Sequence, residues 1–159
     1  MTELDSIDLT LLVQLQNDAR QANKDLAAQV GIAPSTCLDR VARLQRQGYI
    51  TRYVAQVSCE ALGRPVEALL AVQFAAHTKA LVDPFVAAIT ALPETRALFH
   101  VSGPEDYIVH VACGTIADLQ RLVLEEFTAR AEVHHVQTNL IFSSWPGGPL
   151  TPFPAEALR

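Results

Sequence analysis

The hydrophobic positions in the first third of the chain recur at helical spacing and predict three short helices. The first helix is marked by Leu4, Ile7, Leu11 and Leu15. The second, Lys24–Val30, has its apolar residues on one face and stops at Gly31, because glycine readily takes the left-handed conformation that ends a helix. Pro34 disfavours helical geometry at the residue before it, so a third helix begins after a tight turn, with Ser35 or Thr36 as its cap.

The third helix, about Ser35–Gln47, divides into an apolar and a polar face. The apolar face consists of Leu38, Val41, Ala42 and Leu44, and the polar stripe of Thr36, Arg40, Arg43 and Gln47, with Arg46 at its flank. Hydroxyl, guanidinium and amide groups along one exposed stripe suit the major groove of DNA. A solvated face is the alternative, but the glycine turn before it favours a recognition helix. The candidate DNA-binding residues are Lys24, Ser35, Thr36, Arg40, Arg43, Arg46 and Gln47.

The pattern after Gly48 changes from helical to alternating. The segment YITRYVAQV predicts a strand from about Ile50 to Val57, followed by a short connector. Four strand segments and two helical stripes then follow in the order β-α-β-β-α-β. The strands are ALLAVQFA, RALFHV, YIVHVA and VHHVQTNLIF, and the stripes contain Leu81, Phe85, Ile89 and Leu92, then Ile116, Leu119, Val123 and Phe127. This order predicts a ferredoxin-like antiparallel sheet with both helices on one face.

The predicted fold class is α+β: an N-terminal three-helix helix-turn-helix domain linked by a β-strand to a C-terminal ferredoxin-like βαββαβ domain. The predicted boundaries are 1–50 for the DNA-binding domain, 51–66 for the strand and linker, 67–145 for the ferredoxin-like domain and 146–159 for a tail. The tail is rich in Pro and Gly and is expected to form an extended arm on the surface or on a neighbouring subunit.

The predicted sheet leaves one face without helices. That face carries one of two sets, either Tyr107, Val109 and Val111 or Ile108, His110 and Ala112. Because a wholly exposed apolar sheet face costs solubility, we expect a second copy of the chain to cover it. A homodimer presents two recognition helices, which predicts a pseudo-palindromic site on double-stranded DNA.

Charge is distributed unevenly along the chain, which bears on DNA binding. The formal net charge is −5, whereas DNA-binding domains are usually basic. Within residues 34–53, however, four Arg stand against one Asp, a local net charge of +3. We therefore expect modest affinity per monomer and a need for at least two DNA-binding units.

Cysteine usage and hydropathy favour a soluble, cytoplasmic protein. Cys37, Cys59 and Cys113 are irregularly spaced and odd in number, which is typical of free thiols in a reducing compartment. No run of about 18 apolar residues occurs, and the acidic N-terminus does not resemble a signal peptide. We expect no membrane association and no cofactor.

The residues also carry a family resemblance. LDSIDLTLLVQLQNDAR, LAAQVGIAPSTCLDRVARLQRQGYI and EALG resemble the N-terminal half of an Lrp/AsnC (leucine-responsive, feast/famine) transcription regulator, and the βαββαβ half with SGPEDYIVHV resembles its ligand-sensing RAM domain. The resemblance covers about residues 3–145. It implies a dimer that assembles further, commonly to a tetramer or octamer, and binds promoter DNA in response to an amino acid or similar small molecule.

The resemblance further implies an effector site around the loop between the second and third strands of the sheet. The residues concerned are Ser102, Gly103, Pro104, Glu105, Asp106 and Tyr107, with Thr138 adding a hydroxyl from a facing subunit. Gly103 lets a ligand approach the backbone, free N–H groups suit a carboxylate, and Glu105 or Asp106 suits an α-ammonium group. The alternative is a polar hairpin turn that needs no ligand.

Two other functions compete with this interpretation. A metal-responsive regulator would use histidines, of which His134 and His135 are adjacent, and His100 and His110 could face each other across strands, but zinc needs three or four ligands. A ferredoxin-like enzyme is the second alternative. The sequence has no GxSxG, HExxH, phosphate-binding loop or dinucleotide fingerprint, so we expect no enzyme.

Overall fold

The computed structural model describes residues 4–76 and 79–152, with Lys79 described by its backbone alone. The chain divides into two compact units. The first combines residues 1–55 with residues 146–159, and the second contains residues 56–145. Within the described ranges, no helix has the length and apolar character needed to cross a membrane.

The first unit contains three helices: α1 (Ser6–Asn17), α2 (Asn23–Val30) and α3 (Pro34–Arg46). A capping box starts α1, because Asp5 Oδ1 accepts from the N–H of Asp8 at 2.8 Å while Asp8 Oδ2 accepts from the N–H of Asp5 at 3.3 Å. Gly31 ends α2 with φ +71°, as predicted from the sequence.

The start of α3 differs from the expectation. Its N-cap is Ala33, without a side-chain hydrogen bond, and Pro34 occupies the first helical turn. The predicted hydroxyl caps, Ser35 and Thr36, therefore lie inside the helix. Proline suits that first position because its φ is already helical and its missing N–H would have no partner there.

The three helices enclose a small apolar core. Its buried residues are Leu11, Leu15, Leu26, Ala27, Cys37 and Leu44. The tail joins this unit through Gln16 of α1. Gln16 Nε2 donates to the carbonyl of Leu150 at 2.9 Å, and Gln16 Oε1 accepts from the N–H of Leu150 at 2.7 Å.

The predicted strand at Ile50–Val57 is corrected by the structure. Residues 51–58 have irregular backbone and are paired with no strand within the described chain. A β-branched, alternating segment becomes a strand only where a neighbouring backbone accepts its hydrogen bonds. A turn over residues 59–63 follows, in which Gly63 has φ +75°.

The second unit is a four-stranded antiparallel sheet covered by helices. Its elements are β1 (Val66–Phe74), α4 (Lys79–Ala91), β2 (Thr95–His100), β3 (Tyr107–Cys113), α5 (Ile116–Leu122), a π-helical segment (Val123–Thr128) that continues α5, and β4 (Val133–Leu140). The strand order is β2-β3-β1-β4. This confirms the ferredoxin-like βαββαβ topology.

Alternation along the strands divides the sheet into a core face and an open face. The core face and its helices contribute Leu70, Val72, Phe74, Phe85, Ile89, Tyr107, Val109, Val111 and Phe127, all at most 7% exposed. The Phe85 ring lies 4.9 Å from Phe74 and 5.4 Å from Tyr107, measured between centroids. The open face therefore carries the second of the two sets considered from the sequence, with Ile108 and His110.

Candidate functional site

Two arginines of α3 that the sequence assigns to DNA are bonded to carboxylates of the first unit. Arg40 Nη1 donates to Asp5 Oδ2 at 2.6 Å and to Asp8 Oδ1 at 2.9 Å, and Arg43 Nη2 donates to Asp8 Oδ2 at 2.5 Å. Asp8 is only 1% exposed. This placement corrects the expected free arginine stripe, because both guanidinium groups are directed at the start of α1.

The outward stripe of α3 consists of different residues. It contains Ser35, Asp39, Ala42 and Arg46, at spacings of i, i+4, i+7 and i+11. Ala42 is partly buried and the other three residues are exposed. Leu38 beside them is 59% exposed, although the sequence assigned it to the buried face. Cys37 and Leu44 instead supply the buried residues of α3. The helix is thus rotated from the predicted orientation, and the Arg40 and Arg43 positions lie toward its buried side.

The remaining predicted DNA-binding residues are accessible. Lys24, Thr36 and Gln47 are exposed on the described surface. The side-chain amide of Asn23 donates to the carbonyl of Pro34 at 2.7 Å, which ties the start of α2 to the start of α3. Neutralisation of Arg40 and Arg43 by Asp5 and Asp8 reduces the positive charge available to DNA.

The predicted effector loop is shaped by backbone hydrogen bonds at its ends. The N–H of Val101 donates to the carbonyl of Asp106 at 3.0 Å, and the side-chain amide of Gln73 donates to the carbonyl of Pro104 at 2.8 Å. Gly103 has φ +142°, a backbone conformation that residues other than glycine rarely adopt. In the described part of the chain, the N–H groups of Ser102, Gly103 and Glu105 find no acceptor. Ser102 and Gly103 are exposed, and Glu105 is partly exposed.

Two predicted effector residues serve the fold of the second unit. Asp106 Oδ2 accepts from the N–H of Phe74 at 2.6 Å, and its own N–H donates to the carbonyl of Val72 at 2.9 Å. Tyr107 is 2% exposed and its ring stacks on His100 with centroids 4.9 Å apart. Burial, with smaller contributions from Asp106 and Asp83, raises the pKa of Tyr107. Asp106 and Tyr107 therefore brace the loop, while Ser102, Gly103 and Pro104 are exposed.

Thr138 lies apart from this loop within one chain. Thr138 lies on β4 and is paired with Leu70 of β1, and β1 separates β4 from β3 in the sheet. Thr138 lines a groove of about 390 Å³ together with Ile116, Leu119, Gln120, Val123, Leu124 and Leu140. This groove was not predicted, because helical spacing placed Ile116 in the core stripe, whereas its side chain is 56% exposed.

The histidines do not form the arrangement considered for a metal site. His100 is paired with Tyr107 and shares its face, whereas His110 is paired with Ala97 on the opposite face. The expectation that His100 and His110 could face each other is therefore wrong. Tyr107, the partner of His100, lies three residues from His110 along β3, and an odd separation along one strand places side chains on opposite faces. Among residues 4–76 and 79–152, no group of three or more His, Cys, Asp or Glu side chains is placed to hold a metal.

The cysteines show the character of core residues. Cys37 and Cys113 are buried, and Cys59 is partly exposed. Burial raises the pKa of the Cys37 thiol, and burial followed by Glu94 and Asp118 raises that of Cys113. A raised pKa keeps both thiols in their less reactive neutral form.

The two units match two family models in the order that the fold indicates. Residues 4–51 match the winged helix-turn-helix DNA-binding model, and residues 67–148 match the Lrp/AsnC ligand binding domain. The chain belongs to the Lrp/AsnC family of DNA-binding transcriptional regulators, whose second domain binds a ligand.

Relatives and solved structures agree with this assignment. The HTH-type transcriptional regulator AldR of Mycolicibacterium smegmatis is 37% identical over 145 residues, covering 91% of this chain and 85% of the relative. The leucine-responsive regulatory protein of Rhizobium meliloti is 36% identical over 138 residues, covering 87% and 88%. A Neisseria meningitidis transcriptional regulator, solved in complex with L-Met, superposes with a TM-score of 0.86 at 25% identity, covering 99% of this chain and 100% of that one.

Proposed function

We propose that this regulator acts as a homodimer, or a tetramer or octamer built from it, that binds pseudo-palindromic promoter DNA and changes its binding when an amino acid occupies the loop after β2. The observation that carries the DNA half of the proposal is the outward stripe of α3, displayed on a folded helix-turn-helix unit. The proposal assigns no catalytic step and no cofactor to either unit.

The composition of the outward stripe supports contact with the major groove. Hydroxyls near the start of a recognition helix reach base edges, and Ser35 and Thr36 are exposed in the first turns of α3. Arg46 is exposed and has no hydrogen bond or ion pair in the described chain, so it is available for guanine or phosphate. Lys24 and Gln47 extend this polar surface at its edges.

The open face of the sheet supports dimerisation. Phe99 on this face is 53% exposed, and Leu69 and Ile108 are half-buried beside it. On the same face, His110 Nε2 lies within hydrogen-bonding distance of Glu67 Oε2, at 2.9 Å, so these two polar groups are already partnered within one chain. A second copy that covers this face removes apolar surface from water and brings two α3 helices to one duplex.

The loop after β2 supports an amino acid as effector. Its unbonded N–H groups at Ser102, Gly103 and Glu105 suit a carboxylate, while the Glu105 carboxylate suits an ammonium group. The Neisseria meningitidis neighbour was solved with L-Met, which contains both groups. Thr138 of a second copy could supply a further hydroxyl, since one chain keeps it away from the loop.

A two-stage experiment tests the proposal. The full-length protein is first screened by thermal shift against the common amino acids, with L-Met included, and then assayed by fluorescence anisotropy on duplex DNA with and without each hit. We expect at least one amino acid to raise the melting temperature and to change the DNA affinity. A protein that binds no promoter duplex more tightly than a random-sequence duplex contradicts the DNA half, and a screen without any hit contradicts the effector half.

A further inference from the structure

The outward stripe of α3 contains a carboxylate whose presence the general DNA-binding role does not explain. Asp39 is exposed and lies between Ser35 and Arg46 on the stripe. It takes part in no hydrogen bond or ion pair within the described ranges of the chain, whereas Asp5 and Asp8 each hold an arginine. DNA phosphates repel such a group, so its position on this face lowers affinity for the backbone.

The donors available in the major groove limit what a carboxylate can bind there. Guanine presents the O6 and N7 acceptors, and thymine presents O4, all of which repel an ionised carboxylate. Cytosine presents only the N4 amino donor, whereas adenine places the acceptor N7 beside its N6 amino donor. A carboxylate at the groove surface therefore favours cytosine and discriminates against the other bases.

We propose that Asp39 is a specificity-determining residue that accepts a hydrogen bond from the N4 amino group of one cytosine in each half-site. This inference rests on the proposed DNA-binding function and adds the base that one position recognises. Asp39 follows Ser35 by one helical turn, so it lies in the half of α3 that approaches base edges when a recognition helix enters the groove.

The arginines bonded to Asp5 and Asp8 strengthen the argument. If Arg40 and Arg43 were free, their positive charge would offset the carboxylate of Asp39. Their guanidinium groups instead contact Asp5 and Asp8 at 2.5–2.9 Å. Asp39 is therefore left as a charged group of the outward face that selects among bases at some cost in overall affinity.

The test begins with selection from a randomised duplex library by the full-length protein and by two variants, Asp39→Ala and Asp39→Asn. The wild type is expected to select sites with one cytosine fixed in each half-site. Asp39→Ala is expected to lose the preference at that position, and Asp39→Asn to move it toward adenine, since an amide suits the N6 and N7 pair of adenine. Asp25→Asn removes one exposed carboxylate from α2 and serves as the matched charge control.

A direct measurement then isolates the amino group. Fluorescence anisotropy compares the selected duplex with one whose fixed cytosines are replaced by 2-pyrimidinone, which lacks the N4 amino group. Wild-type affinity is expected to fall about tenfold, while Asp39→Ala binds both duplexes within about twofold. Asp39→Ala should also bind random DNA more tightly than the wild type, because a repelling charge is gone.

The outcomes separate two kinds of failure. A wild type that selects no sequence over random duplex overturns the DNA-binding proposal itself. A selective wild type whose Asp39→Ala and Asp39→Asn variants choose the same bases at every position overturns the role of Asp39 alone. Circular dichroism melting of both variants verifies folding, and their exposed position predicts unchanged melting temperatures.

Discussion

The Asp8 carboxylate on α1 is bonded to Arg43 on α3, with 2.5 Å between Asp8 Oδ2 and Arg43 Nη2. Asp8 also belongs to the capping box that starts α1, so one buried carboxylate fixes both the first turn of α1 and the side of α3 that faces it. The rotation of α3 about its own axis determines which residues it presents. This ion pair therefore helps decide which side chains reach DNA.

Removal of Asp8 should destabilise the first unit. The variant Asp8→Ala leaves the guanidinium groups of Arg40 and Arg43 without their buried acceptor, at an expected cost of about 1–3 kcal/mol. Urea unfolding followed by circular dichroism measures the change. Asp25→Asn, at an exposed site in the first turn of α2, should cost less than about 1 kcal/mol. Equal losses in the two variants would show that the ion pair contributes no specific stability.

Arg43 and Arg46 should behave differently although they are three residues apart. Arg43→Ala breaks the bond to Asp8 and should lower the melting temperature. Arg46→Ala should leave the melting temperature unchanged but weaken DNA binding, and it should reduce the slope of log K against log salt by about 0.9 if Arg46 contacts a phosphate. Anisotropy titrations at several salt concentrations provide the slopes. The opposite assignment of effects would mean that Arg43 rather than Arg46 contacts DNA.

Acid should weaken the first unit through Asp5. The N–H of Asp8 and then the Arg40 guanidinium lower the pKa of Asp5 below its ordinary value of 3.8. The folded state thus favours the ionised carboxylate, whose stabilisation is present above 3.8 and is lost as the pH falls through the lower folded value. Melting of the wild type and Asp5→Asn should differ near neutral pH and converge in strong acid. A difference that grows in acid would contradict this sign.

Substitution of Gly103 should abolish the effector response while DNA binding without effector persists. A bulky residue at φ +142° is strained by about 1–3 kcal/mol and changes the course of the loop backbone. Gly103→Val should therefore abolish any amino acid effect on DNA affinity while basal binding persists. Gly148→Val, at a position with no contact within 4 Å and no positive φ, is the control and should respond normally. A full response in Gly103→Val would exclude this loop as the effector site.

Dimerisation should depend on Phe99. Phe99→Asp places a charge on the open sheet face and forfeits apolar burial. Because Phe99 is 53% exposed in one chain, the loss per copy is roughly half of the 1.5–3 kcal/mol that full burial provides, and over two copies it weakens the dimer at least about tenfold. Sedimentation equilibrium gives the mass. Leu124→Asp is the matched control, because Leu124 is 55% exposed but lines the groove beside α5. Dissociation caused by Leu124→Asp instead would assign the dimer to that groove.

The order of helices and strands was predictable because the spacing of apolar residues differs between a helix and a strand. Gly31, with its left-handed φ, and the four strands of the second unit follow from local rules that need no tertiary information. The segment 50–57 shows the limit of those rules. Its composition favours a strand, but strand formation depends on a neighbouring backbone that the local sequence does not specify.

The rotation of α3 was not predictable from its own residues. Leu38 is apolar and Arg40 is charged, so a simple division by polarity buries the first and exposes the second. In the structure Leu38 is exposed, and Arg40 lies on the side of α3 that faces α1. That side is favourable for arginine because the carboxylates of Asp5 and Asp8 accept its hydrogen bonds. Only the pairing with α1 settles this, and that pairing spans more than 30 residues of sequence.

The hydrogen bonds between Gln16 and Leu150 have a consequence for synthesis of the protein. The unit that contains α1 also contains a segment made after the entire sheet, so translation must reach residue 150 before that unit has all of its parts. A nascent chain would then complete the unit that carries its recognition helix only after the domain proposed to sense nutrients has left the ribosome.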